Sequence, residues 1–109
     1  MTIDFNKLPF EDFPAFKGGE GTMKAQMYWD GTTRLIHAFL PVGASIGLHK
    51  HEGNCEMIFL IKGEGTVIDD GVASPAKQGQ CLYCPAGHSH SLVNTGKEPI
   101  EFYAAVPKQ

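Results

Sequence analysis

Residues Gly43 to Gly63 read GASIGLHKHEGNCEMIFLIKG. His49 and His51 stand two residues apart, and Glu56 follows five residues after His51. Side chains at i and i+2 of a strand share a face, so the two imidazoles can address one point. Glu56 opens the apolar run Glu56-Met57-Ile58-Phe59-Leu60-Ile61, which has the β-branched and aromatic content of a buried strand. Glu52-Gly53-Asn54 between them is a turn-forming cluster able to fold Glu56 back beside the histidines. A carboxylate in an apolar strand is costly without a charge or a metal to meet it. Two imidazoles and that carboxylate therefore predict a metal site.

Downstream, Gly79 to Asn94 reads GQCLYCPAGHSHSLVN and brings a second histidine pair, His88 and His90. Here the chain resembles the cupin family. The first cupin motif is Gly, five residues, His-x-His, three or four residues, Glu, six residues, Gly, and Gly43, His49, His51, Glu56 and Gly63 fit it throughout. The second is Gly, five residues, Pro-x-Gly, two residues, His, three residues, Asn, and Gly79, Pro85, Gly87, His90 and Asn94 fit that. The resemblance covers about half the chain, Gly43 to Asn94. It implies an all-β fold, a small antiparallel β-barrel of jelly-roll type, with His49, His51, Glu56 and His90 holding one divalent transition-metal ion near an open end. Three imidazoles and a carboxylate suit Mn, Fe, Co, Ni, Cu or Zn better than the oxygen-seeking Mg or Ca. It also implies a range of activities (isomerases, dioxygenases, decarboxylases, lyases and non-catalytic sugar or metabolite binders), and a fold does not choose among them.

Outward from the motifs, the 109 residues make one domain. We expect an extended arm over residues 1–20 and a single β-barrel domain over 21–109. The arm holds Phe5, Phe10, Phe13 and Phe16, with Pro9 and Pro14 breaking any helix, and so many aromatics predict that it lies on a barrel, its own or a partner's. Asp30-Gly31 and Asp70-Gly71 mark two hairpins. Gly63-Glu64-Gly65 reads as a turn, Ser74 to Gln78 as a loop, and Pro99 to Val106 as a last strand. In Thr33–Leu40, His37 shares a face with Leu35 and Phe39, and its expected role is not that of a ligand.

A net charge of −3 gives no basic footprint for nucleic acid or an anionic membrane, and no apolar run reaches membrane-spanning length. Three cysteines, an odd number, argue against a disulfide framework. Cys81-x-x-Cys84 has no second pair and no following helix, and its parity in an extended run puts the two thiols on opposite faces. Free thiols and the absence of a signal peptide predict a cytoplasmic setting. Outward-facing Met57, Phe59 and Ile61 need a cover, and with the arm they predict a homodimer.

For function, the expectation is an enzyme acting on a small oxygen-rich metabolite (a sugar, a keto or hydroxy acid, or an aromatic diol). The alternative is a non-catalytic binding or sensing module. His88, two residues before His90, is the candidate acid–base residue; Tyr28, Tyr83 and Tyr103 offer phenols, and Arg34 offers a guanidinium for a substrate carboxylate.

Overall fold

The computed structural model describes all 109 residues. Ten strands form: β1 Glu11–Pro14, β2 Thr22–Trp29, β3 Thr33–Leu40, β4 Ser45–Lys50, β5 Glu56–Lys62, β6 Glu64–Asp69, β7 Val72–Lys77, β8 Cys81–Cys84, β9 Ser89–Val93 and β10 Ile100–Pro107. One sheet has the order β1-β2-β3-β10-β5-β8 and the other β4-β9-β6-β7, every pairing antiparallel. The two sheets face each other as an antiparallel jelly roll and do not close into one hydrogen-bonded cylinder.

Alternation along each strand decides which side is core. Ile36, Ala38 and Leu40 of β3, Ile58 and Leu60 of β5, and Ile100, Phe102 and Ala104 of β10 all point inward and are buried. They meet Ile46 of β4, Val67 of β6, Ala76 of β7 and Leu92 of β9 from the smaller sheet. Each large side chain so buried contributes about 1.5–3 kcal/mol relative to exposure. The opposite parity leaves Phe59 and Ile61 in solvent and Met57 half-buried, the apolar outer row expected from the sequence.

Both hairpins form where expected. Asp30 Oδ1 accepts from the Thr32 and Thr33 backbone N–H groups and the Thr32 hydroxyl, each at 2.9 Å. Those bonds, the Thr32 N–H first, pull the Asp30 carboxyl down to about 2. Two local expectations need correction. Residues 74–77 are strand, because β7 is the edge of its sheet and Pro75 sacrifices no ladder bond there that a central strand would need. The break at 63–65 is Gly63 alone: β6 begins at Glu64, and Gly63 has φ 88° with Pro99 O where a Cβ would stand. That one residue carries the chain from the large sheet to the small one.

The N-terminal twenty residues run along their own chain's large sheet. A short 3₁₀ turn, Phe5–Lys7, precedes β1, which extends the sheet beside β2, and a second turn, Phe16–Gly18, follows it. The segment grips both faces. Phe5 and Phe10 lie against His37 on the outside, while Phe13 and Phe16 pack on the core from the inside. Past the second turn it touches β4 backbone to backbone. A Cβ on Gly19 would overlap Ser45 O, and one on Gly47 would overlap Lys17 O.

Candidate metal centre

Four side chains from both sheets converge at one end of the jelly roll. β4 delivers His49 and, just past its end, His51; β9 delivers His90; and β5 begins with Glu56. The β4–β9 ladder sets His49 opposite His90, so the two motifs meet by direct cross-strand pairing. Gly53, at φ 75°, turns the chain between His51 and Glu56 as the sequence predicts. The four ligand atoms lie within 4.8 Å of one another. Nε2 of His90 is 3.0 Å from Nε2 of His51 and 3.1 Å from Nε2 of His49. Glu56 Oε1 lies 2.9 Å from the His90 nitrogen, 3.2 Å from that of His51 and 3.8 Å from that of His49. His51, Glu56 and His90 are buried, and His49 is half-buried.

The remaining ring nitrogens show why this cluster suits a cation. His49 Nδ1 donates to Gly47 O and His51 Nδ1 donates to Asn54 Oδ1, each at 2.7 Å. With the proton on Nδ1, Nε2 of both rings turns a lone pair inward. Inward lone pairs from neighbouring rings repel unless a positive charge sits among them. Burial works to raise the Glu56 pKa, but contacts from His49, His51 and His90 outweigh it and hold the carboxyl well below its usual range. The contact with Glu56 raises the His51 pKa, against the opposing effect of burial. A proton shared there is the one an incoming cation displaces. The donor set and its outer hydrogen bonds therefore fit one transition-metal ion.

His49, His51 and Glu56 form part of the wall of a cavity of about 690 Å³. Phe13 and Phe16 of the N-terminal segment, Met23, Met27 and Trp29 of β2, Arg34 and Ile36 of β3, and Phe102 and Val106 of β10 supply much of the rest.

A family model described as "Cupin domain" matches residues 36–106. The chain is a cupin. This cupin is 45% identical over 112 residues to the "Oxalate-binding protein" of Thermotoga maritima, spanning 97% of this chain and 93% of that one. It superposes with a TM-score of 0.92 on the crystal structure of a predicted oxalate decarboxylase from T. maritima, at 31% identity and with both chains fully covered. The cupin domain of Schizosaccharomyces pombe Cnp3 shares the fold, with a TM-score of 0.80 at 14% identity, over all of this chain and 74% of that one.

Other candidates from the sequence fall elsewhere. His88 follows β8, is exposed, and pairs through Nδ1 with the Asp70 carboxylate at the β6–β7 turn; it does not line the cavity. None of Tyr28, Tyr83 and Tyr103 lines it either: Tyr28 bonds Asp30 at 3.3 Å, and Tyr83 and Tyr103 are exposed. Arg34 does line it. His37 sits on the outer face, with Nδ1 at 2.6 Å from Gln26 Oε1 and Nε2 at 2.8 Å from Glu101 Oε2, in keeping with a non-ligand role. All three cysteines are free; Cys81 is exposed and Cys84 buried, as their parity requires, and burial pushes the Cys84 thiol up to about 11. Cys55, ahead of β5, is buried as well. Sequence reasoning missed Asn54, Gly47 O and the arm residues Phe13 and Phe16. Asn54 could have been found by its place three residues after His51, within reach of that ring. No helix is long and apolar enough to cross a membrane.

Proposed function

We propose that this cupin holds one divalent transition-metal ion on His49, His51, Glu56 and His90 and acts there as an enzyme on a small oxygen-rich acid of the oxalate, keto-acid or hydroxy-acid kind. The observation that carries this reading is the convergence of three Nε2 atoms and one carboxylate oxygen, with His49, His51 and Glu56 on the wall of a roomy cavity and His90 buried behind them. When bound, the ion supplies Lewis acidity and exchangeable positions for two oxygens of such an acid. Gly47 O and Asn54 keep the rings of His49 and His51 turned inward. Phe13, Phe16 and Phe102 give the cavity an apolar wall that limits water around the acid. The name of the 45% identical relative supports an acid of this class.

A second reading, binding without turnover, draws on one observation. No tyrosine and no histidine outside the ligand set lines the cavity, and the one further carboxyl on its wall, Glu52, is exposed and paired with Lys50 at 3.5 Å. Elemental analysis of protein purified without chelator, followed by a screen of small acids for binding and for product, tests both. Metal with turnover supports the enzyme, metal with binding alone supports the second reading, and metal-free protein that takes up no ion rejects both.

The outer apolar row also supports a homodimer. Phe10, Phe59, Ile61, Tyr83 and Tyr103 expose a broad face of the large sheet that a second copy can cover. Light scattering should give twice the 11.9 kDa chain mass, and a monomer at micromolar concentration would rule this out. Three free cysteines agree with a reducing, cytoplasmic setting.

A further inference from the structure

Arg34 is the single arginine of the chain. It is half-buried on the cavity wall and takes part in none of the ion pairs of the structure. Its one side-chain partner is a thioether, Met27 Sδ, at 3.6 Å. Its guanidinium carbon stands 5.0 Å from the centre of the Trp29 ring, and Lys108 Nζ stands 5.9 Å from the same ring. Stacking on Trp29 holds the guanidinium in place but satisfies none of its N–H donors. A pre-oriented guanidinium with free donors, beside a second cation and in a cavity, is built for a carboxylate.

Its distance from the metal centre indicates which carboxylate. Arg34 pairs with Val106 across the β3–β10 ladder, and Ala105 pairs with Met57 across the β10–β5 ladder. Continuing that register by one residue sets Glu56 beside Val106, so Arg34 and Glu56 share a row with one strand between them. Two strand spacings separate their backbones by about 10 Å. The guanidinium lies farther still, over Trp29 and Met27 of β2. Between the two ends the wall is apolar, made by Met27, Ile36, Phe102 and Val106. Oxalate has no carbon between its carboxyl groups and would leave this corner empty.

Resting on the metal-site reading above, we propose that the ligand is a 2-hydroxy or 2-oxo dicarboxylate. Its hydroxy-acid or keto-acid end lies at the His49–His51–Glu56–His90 centre, a short methylene chain crosses the apolar wall, and Arg34 holds the distal carboxylate with Lys108 beside it. Arg34 thereby determines specificity.

The test uses metal-loaded protein and three probes. 2-Hydroxyglutarate has both ends, 2-hydroxypentanoate has the same chain with a methyl in place of the distal carboxylate, and oxalate has the chelating end alone. Affinities come from calorimetry, and the single tryptophan, Trp29, provides a local signal. Wild type should bind 2-hydroxyglutarate about tenfold or more tightly than 2-hydroxypentanoate. Arg34→Gln should erase that preference and leave oxalate binding within about twofold, and Lys108→Gln should reduce the preference partly. Emission from Trp29 should change with 2-hydroxyglutarate and not with oxalate. If both hydroxy acids bind with equal affinity in wild type, or Arg34→Gln weakens oxalate as much as 2-hydroxyglutarate, the assignment of Arg34 is overturned while the metal site stands. If none of the three probes binds better with metal than after chelator treatment, the reading of the site itself falls, and this proposal with it.

Discussion

On the inner face of the large sheet Glu56 meets three imidazoles; on its outer face Glu101 meets one, that of His37. Both clusters are largely buried, and both set histidine against carboxylate. Outside, each ring nitrogen of His37 has its own oxygen partner, Gln26 Oε1 or Glu101 Oε2, and the ring stacks on Tyr103 at 4.6 Å with a 20° tilt. Gln26 Nε2 in turn donates to the Phe5 and Leu8 carbonyls, which fixes its amide and ties down the N-terminal segment. Every group there is satisfied by protein. Inside, Gly47 O and Asn54 Oδ1 hold the outer nitrogens of His49 and His51, and three Nε2 atoms face one another around the single oxygen Glu56 Oε1. The outer cluster fastens the fold, whereas the inner one offers three nitrogens and a carboxylate oxygen to a cation. What separates them is the partner of the second ring nitrogen, not the presence of histidine and carboxylate.

Removing a histidine from either cluster should separate the two most strongly. His51→Ala or His90→Ala should lower metal affinity roughly 100-fold or more while circular dichroism still reports a folded β protein. Unchanged metal content in both variants would mean that the inner cluster is as self-sufficient as the outer one.

Acid should act on the same contrast. Metal replaces protons, so affinity rises with pH and falls as the imidazoles protonate. The His51 pKa is raised above its ordinary 6.5, so protons compete for that ring already near neutral pH, whereas Glu56, held low, stays ionised. Between pH 7 and pH 5 affinity should drop roughly 100-fold if one proton is displaced per ion, and more if several are. Metal titrations across that window that give a constant affinity would exclude the histidines as ligands.

Asn54→Ala isolates the outer hydrogen bond. Freeing the His51 ring should weaken metal binding roughly tenfold and leave the four ligands in place. The counterpart outside is His37→Ala, which should leave metal content unchanged and cost about 1–3 kcal/mol of stability, because Glu101 and Gln26 lose their partner. Thermal melts with parallel metal analysis check both; a metal defect in the His37 variant would break the distinction between the clusters.

The inner cluster was legible in the sequence because its parts are local. His49 and His51 share a face through the two-residue repeat of a strand, and Gly53 supplies the turn that returns Glu56. The ten motif positions implied His90, and the β4–β9 ladder sets it opposite His49. Strand parity likewise assigned Ile58 and Leu60 inward, Phe59 and Ile61 outward, and Cys81 and Cys84 to opposite faces. Parity says which residues share a face, but not what lies across from that face. His88 has the parity of His90, yet the turn at Asp70 captures it before it can reach the cavity.

The same limit explains the N-terminal segment. Its phenylalanines announced a need for cover, but their division into two outside and two inside depends on where β1 joins the sheet edge. Likewise nothing local marks Gly19 and Gly47 as points where the fold presses one backbone onto the other. Composition, turn chemistry and strand period act over a few neighbouring residues, and the sequence alone determined whatever they control: most of the strands, their inner and outer faces, and the donor atoms of the candidate metal centre. Cavity walls, the neighbours of Arg34 and the partner of each second histidine nitrogen depend on which distant strands pair. Only the packing of the two sheets decides that, because burying both apolar faces at once leaves the chain little choice of register.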